Sequence, residues 1–130
     1  MTAMSRRLRA YSCVLILAVC TAIPARANFT CGGTISYLGL NYHGGVVVNV
    51  GGFGFWTVCS LTTSIESGGI AVAPETCRAW YATFLANQKA NQGVTLYFTS
   101  PANTSNGPEC TALGSWVTPN PLPYFLQISG

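Results

Sequence analysis

The chain has 130 residues, 49% of them hydrophobic and only 7% charged, with a formal net charge of +3. That length admits one small domain. The basic balance belongs to the start alone: Arg6, Arg7, Arg9 and Arg26 precede Asn28, and the remainder sets Arg78 and Lys89 against Glu66, Glu75 and Glu109, a charge of −1. With no basic patch, nucleic-acid binding lacks its main source of affinity, and anionic membrane surfaces are disfavoured for the same reason.

Residues 1–27, MTAMSRRLRAYSCVLILAVCTAIPARA, read as a secretory signal peptide: a basic start, an apolar stretch from Tyr11 to Ile23, and small residues Ala25 and Ala27 at the expected cleavage point before Asn28. The apolar part is too short to span a bilayer comfortably and no comparable run follows, so no membrane anchor is expected in the mature chain. Lipid modification of Cys20 is disfavoured by the bulky Val19 before it, and twin-arginine export by Arg9 where an apolar residue is usual. The expected location is secreted or periplasmic. Cleavage removes Cys13 and Cys20 and leaves Cys31, Cys59, Cys77 and Cys110. An even count in a short exported domain reads as two disulfides, with three connectivities open. A zinc site would want paired Cys-x-x-Cys spacing, which is missing.

Residues 28–130 then read as a single domain without repeats. Gly33 to Leu40 alternates as a first strand, NYHGG turns the chain, and Val46 to Val50 and Phe55 to Leu61 form a second and third. Between these, Gly51, Gly52 and Gly54 suit a tight hairpin with a bulge. They do not make a phosphate loop, because the next segment is a strand rather than a helix and Thr57 stands where a third glycine is wanted.

The polar loop TTSIESGG leads to the clearest helix, PETCRAWYATFLANQKANQG. Pro74 suits its first position, Glu75 the positive end of the dipole and Gly93 its stop. Cys77, Trp80, Tyr81, Phe84 and Leu85 make one buried stripe, with Arg78, Asn87, Gln88 and Lys89 outside it. Val94 to Thr99 alternates as a fourth strand, and SPANTSNGPEC reads as an exposed loop. Leu113 to Val117 reads as a short strand around Trp116, broken by the prolines of TPNPLP, and Tyr124 to Ile128 closes the chain as a strand.

The order β-β-β-α-β-β is that of the small five-stranded oligonucleotide/oligosaccharide-binding (OB) barrel, mainly β with one helix. In that barrel the first strand pairs antiparallel with the fourth, bringing Cys31 toward Cys110. Cys59, ending the third strand, is close along the chain to Cys77 in the helix's first turn. The expected pairs are therefore Cys31–Cys110 and Cys59–Cys77, each adding about 3 to 4.5 kcal/mol in the chain-entropy model.

The succession of WTVCSL, CRAWYATFLANQ, GVTLYFT and ECTALGSW resembles the B subunits of bacterial A-B type toxins, especially the pertussis-like and subtilase-like kind. The likeness covers most of the mature chain as a pattern of elements. It implies ring pentamers that bind cell-surface glycans, and carries over no binding residue.

Chemistry is sparsely supplied. The mature chain has no aspartate, one histidine and three glutamates, so only Glu66, Glu75 or Glu109 could orient His43 or act as paired acids. A lone imidazole makes a transition-metal site improbable, and the expectation is a protein without catalysis, cofactor or metal. Aromatics are plentiful instead: fourteen remain after Tyr11 is lost, and several strands carry rings on both faces. Some should stay exposed and mark a binding face or a subunit interface. Tyr42, His43, Trp56 and Trp116 are the expected contacts with a glycan or protein ligand, since polar-tipped aromatics stack while still hydrogen bonding. The alternatives are a homo-oligomeric assembly component and, last, a small hydrolase using His43 and a glutamate.

Overall fold

The computed structural model describes residues 28–100 and 103–129; the signal peptide read over residues 1–27 lies outside them. In chain order the elements are β1 (Asn28–Leu40), β2 (Gly45–Val50), β3 (Trp56–Ser60), β4 (Ile65–Ser67), β5 (Ile70–Val72), α1 (Pro74–Lys89), β6 (Gly93–Thr99), α2 (Pro108–Ala112) and β7 (Phe125–Ser129). Five strands form one sheet ordered β3-β2-β1-β6-β7, and β4 and β5 form a separate hairpin. The protein is thus mainly β with one main helix.

β1 organises the sheet because it serves two neighbours in turn. Its first half, Asn28 to Thr34, pairs antiparallel with β6, and its second half, Ile35 to Leu40, pairs antiparallel with β2, with an irregularity between Ile35 and Tyr37. The handover is at Gly33, with φ of 151°, where a Cβ would lie 2.6 Å from the Gly51 Cα. A side chain there would collide with the β2–β3 turn, so the bend in β1 requires glycine. That turn carries Gly51 and Gly52 at φ of 63° and 76°, and the chain leaves it directly into β3. The glycine cluster joins two strands, as its sequence context requires.

The core lies between the inward residues of the sheet and α1. Val46, Val48 and Val50 of β2, Trp56 and Val58 of β3, and Val94, Leu96 and Phe98 of β6 are fully buried. From the helix Cys77 and Phe84 join them, with Trp80 and Tyr81 partly buried against the cluster. Asn87 is buried as well, against expectation: it continues the Cys77–Phe84 face by three further residues, and its amide nitrogen donates to the Thr83 carbonyl at 2.8 Å. The helix ends at Lys89, and the positive φ that stops it belongs to Asn91, at 55°; Gly93 opens β6 instead.

Both cysteine pairs are oxidised, Cys31–Cys110 joining β1 to α2 and Cys59–Cys77 joining β3 to the first turn of α1. The stretch after β6 is less free than its turn-rich composition implies. Asn106 donates its N–H to the Thr30 carbonyl and accepts at Oδ1 from the Gly32 N–H, at 2.8 and 2.7 Å, and α2 follows.

The sheet is open and does not close into the expected barrel. Its edges are β3 and β7. The cause is the proline-rich stretch before β7: residues near Val117 reach β3 through one isolated parallel bridge, Trp56 with Val117, and the chain then runs through Pro119, Pro121 and Pro123 before β7 pairs with β6. Proline supplies no N–H to a ladder, so pairing along β3 stops after that bridge.

Candidate functional site

The outward face of β1, β2 and β3 carries an exposed ring cluster. Strand parity along β2 sends Val46, Val48 and Val50 into the core cluster and Val47 and Asn49 to the other face, although all of these are buried. Tyr37 pairs directly with Asn49, and Gly39 with Val47, so Tyr37 and Asn49 share that outer face. A Cβ on Gly39 would lie 2.8 Å from the Tyr37 hydroxyl oxygen, and only glycine lets the ring lie along its own strand there.

Onto Tyr37 pack two more rings. Phe55 lies edge-on to it at 5.2 Å and Trp116 at 6.1 Å, while Phe55 and Trp116 stack at 4.4 Å with planes 3° apart. Trp116 remains 67% exposed and Tyr37 40%. The result is a stacked Phe55–Trp116 pair with Tyr37 standing edge-on to it, at the surface rather than in the core.

The backbone holds Trp116 in place. Its own N–H donates to the Phe55 carbonyl at 2.7 Å, the Thr57 N–H to the Val117 carbonyl at 2.9 Å, and the Phe55 N–H to Ser115 Oγ at 3.2 Å. From the core side, Trp56 Nε1 donates to the Gly114 carbonyl at 3.0 Å. This clamp fixes Trp116 at a φ of 61°, a left-handed conformation that costs a bulky residue about 1–2 kcal/mol. A large apolar side chain kept exposed on a strained backbone is the pattern of a surface shaped for contact, because packing alone would favour neither.

Opposite Tyr37 on β2 lies a polar group. Asn49 is 93% buried, being 7% exposed, and its Oδ1 has no hydrogen-bond partner. A buried acceptor left unpaired costs about 1–3 kcal/mol.

The four sequence-expected contact residues separate into three places. Trp116 belongs to the cluster. Trp56 does not: it is fully buried, edge-on to Phe98 at 5.9 Å, and anchors the clamp from the core, so it is corrected from contact residue to structural support. The physical reason is parity, since neighbours on a strand face opposite ways and Phe55 takes the outward position. Tyr42 and His43 occupy the β1–β2 turn, with Tyr42 92% exposed and the two ring centroids 3.7 Å apart. That tip is well braced: Asn41 Oδ1 accepts from the His43 and Gly45 N–H groups, and Thr62 Oγ1 donates to the His43 carbonyl at 2.9 Å. No ring contact among the described residues joins it to Trp116.

Sequence reasoning missed Tyr37, Phe55 and Asn49 as a group. A signal existed for Asn49, a polar residue inside a valine run, but its partners arrive from 12 positions upstream and, at Trp116, 67 downstream.

A second cluster sits at the opposite edge of the sheet, where Tyr97 of β6 meets Tyr124 at 6.3 Å and Phe125 of β7 at 5.4 Å. Here the polar tips are engaged: Tyr97 donates its hydroxyl to Gln127, and Thr95 and Ser129 share a hydroxyl hydrogen bond.

Nothing assembles His43 with a carboxylate: Glu109 accepts from Thr104 Oγ1 at 2.7 Å, and no hydrogen bond among the described residues links His43 to Glu66, Glu75 or Glu109. No group of three or more metal-ligating side chains occurs among the described residues, and none of their helices is long and apolar enough to cross a membrane. Comparison with known proteins finds no matching family model, no matching curated protein and no matching solved structure.

Proposed function

We propose that this chain is an exported, non-catalytic binding protein whose Tyr37–Phe55–Trp116 surface stacks on a neutral glycan. The observation that carries the reading is Trp116 itself, two-thirds exposed, left-handed in φ and stacked face to face on Phe55. Sugar rings present apolar C–H faces that suit flat aromatic surfaces, and no charged residue belongs to the cluster, which argues for an uncharged ligand.

Two further features support the reading. The pairing order β3-β2-β1-β6-β7, with the Trp56–Val117 bridge beside β3, supports an OB-like reading in which the seam between β3 and β7 stays open. Such barrels bind oligonucleotides and oligosaccharides on the face of their second and third strands and on the loops after the first and fourth. The two disulfides suit an oxidising compartment, in keeping with export. The likeness to toxin B subunits adds cell-surface glycans as the ligand class to test first.

The experiment is binding of the processed, oxidised protein to an immobilised glycan panel. Trp116→Ala should lower affinity at least tenfold, in line with loss of a stacking anchor. Tyr42→Ala should leave it unchanged. The reverse result would move the site to the Tyr42–His43 tip, and retention by both variants would remove both surfaces.

A second reading, homo-oligomer formation, is favoured by β7. It is an edge strand without charged residues, and Phe125 and Ile128 are 51% and 57% exposed, the kind of edge that invites pairing with another chain. Native mass measurement of the oxidised protein distinguishes a ring, another closed oligomer and a monomer. Hydrolysis by His43 and a glutamate ranks last, and no response to His43→Ala or to a Glu→Gln change at Glu66, Glu75 or Glu109 would end it.

A further inference from the structure

Resting on the glycan reading above, we infer that Asn49 Oδ1 is the hydrogen-bond acceptor of that site and receives a hydroxyl of a saccharide ring that enters under Trp116. Three observations converge. Asn49 and Tyr37 are direct cross-strand partners on the outer face. The Asn49 oxygen is buried and has no hydrogen-bond partner among the described residues. Tyr37 of β1 is its direct partner, and the Val48–Trp56 pair puts Phe55 next in register on the other side, so two rings of the cluster flank it.

The Trp116 ring can move without unfolding its support. Every hydrogen bond that clamps residues 114–117 to β3 engages main-chain atoms or Ser115 and Trp56, and none uses the Trp116 indole. Rotation of that side chain leaves those hydrogen bonds intact while breaking its ring contacts with Phe55 and Tyr37, and the entry we infer for the saccharide is by that movement. A buried acceptor with no partner is destabilising, and an incoming O–H removes that penalty while the ring stacks. A pyranoside suits both demands at once, because it carries a hydroxyl beside an apolar C–H face. An amine or carboxylate would bring a charge that nothing in the cluster matches.

The test uses the processed, oxidised protein labelled with nitrogen-15 and titrated with methyl β-glucoside, methyl β-galactoside and methyl α-mannoside. The Trp116 indole and Asn49 side-chain amide resonances should shift together along one saturation curve for at least one sugar. Asn49→Leu should weaken that sugar at least tenfold while the Trp116 signal still responds. Movement of Trp116 with Asn49 unmoved, or full affinity in Asn49→Leu, overturns the assignment of Asn49 and leaves the aromatic surface standing. Silence of both resonances toward all three sugars overturns both, as does a response to an uncharged blocked tripeptide alone.

Discussion

Two aromatic clusters lie back to back in this fold. Phe29, Trp56 and Phe98 pack inside it and Tyr37, Phe55 and Trp116 outside, with similar geometry: Phe29 stacks on Phe98 at 4.9 Å and 7°, Phe55 on Trp116 at 4.4 Å and 3°. All three inner rings are buried, whereas Trp116 and Tyr37 face solvent. Ring contacts alone therefore do not decide the role of an aromatic residue. Strand parity separates Trp56 from Phe55, and a strained backbone holds Trp116 where burial would not. The inner cluster converts area removed from water into stability; the outer one retains area for a ligand to cover.

That contrast can be broken most severely at the tie between the two sides. Cys31 lies in the buried cluster, and its partner Cys110 sits in α2, four residues before Gly114 of the clamp. Replacing both cysteines by alanine should cost about 4.5 kcal/mol for a loop of this length, measured by urea unfolding. The outer site should loosen with it, since α2 no longer positions the clamp. A loss well under about 2 kcal/mol would mean that Asn106 and the Thr30 hydrogen bonds hold this end without the cross-link.

Trp56→Ala comes next. Removing a fully buried indole should cost about 4 kcal/mol and leave the Gly114 carbonyl without its donor. Trp116→Ala, by contrast, should change stability by no more than about 1 kcal/mol, the worth of one exposed ring pair. Thermal or urea unfolding of the two variants gives the comparison directly. Equal losses would mean that the outer rings are core after all, and the functional reading would fall with the contrast.

How much of this was legible beforehand depends on the range of the interactions involved. The Pro74 start of α1, the alternation of Val94, Leu96 and Phe98 and the hairpin at Gly51 and Gly52 are local, and each reads off a few neighbouring residues. The cysteine pairing followed from strand order and short chain separation. Phe55 and Trp56 were plainly on opposite faces, but which one faced inward depended on Gly114 and Val117, which the chain brings in from 58 or more positions away. The β4–β5 hairpin is hidden because its strands, IES and IAV, are three residues each, although Gly68 and Gly69 between them repeat the positive-φ pair of Gly51 and Gly52. Closure of the barrel was the largest miss. The prolines of TPNPLP interrupt a strand already in the sequence, but their consequence, a β7 that reaches β6 without continuing along β3, exists only once the sheet is assembled.

The smallest effect sharpens the comparison furthest, because it separates the ring of Trp116 from its backbone. At a φ of 61° an alanine is strained nearly as a tryptophan is, since the Cβ causes the clash, whereas glycine is not. Trp116→Gly should therefore be more stable than Trp116→Ala by about 1 kcal/mol, the reverse of the order in ordinary extended or helical backbone, where alanine wins by about the same amount. Both variants lose the stacking on Phe55 equally, so their difference reports the backbone alone. If glycine is the more stable, the protein tolerates strain at this position to display a ring, and the main-chain hydrogen bonds to Phe55 and Thr57 are what sustain it. An alanine variant as stable as the glycine one would mean that Trp116 rests in a relaxed conformation, and exposure of its ring would need another cause.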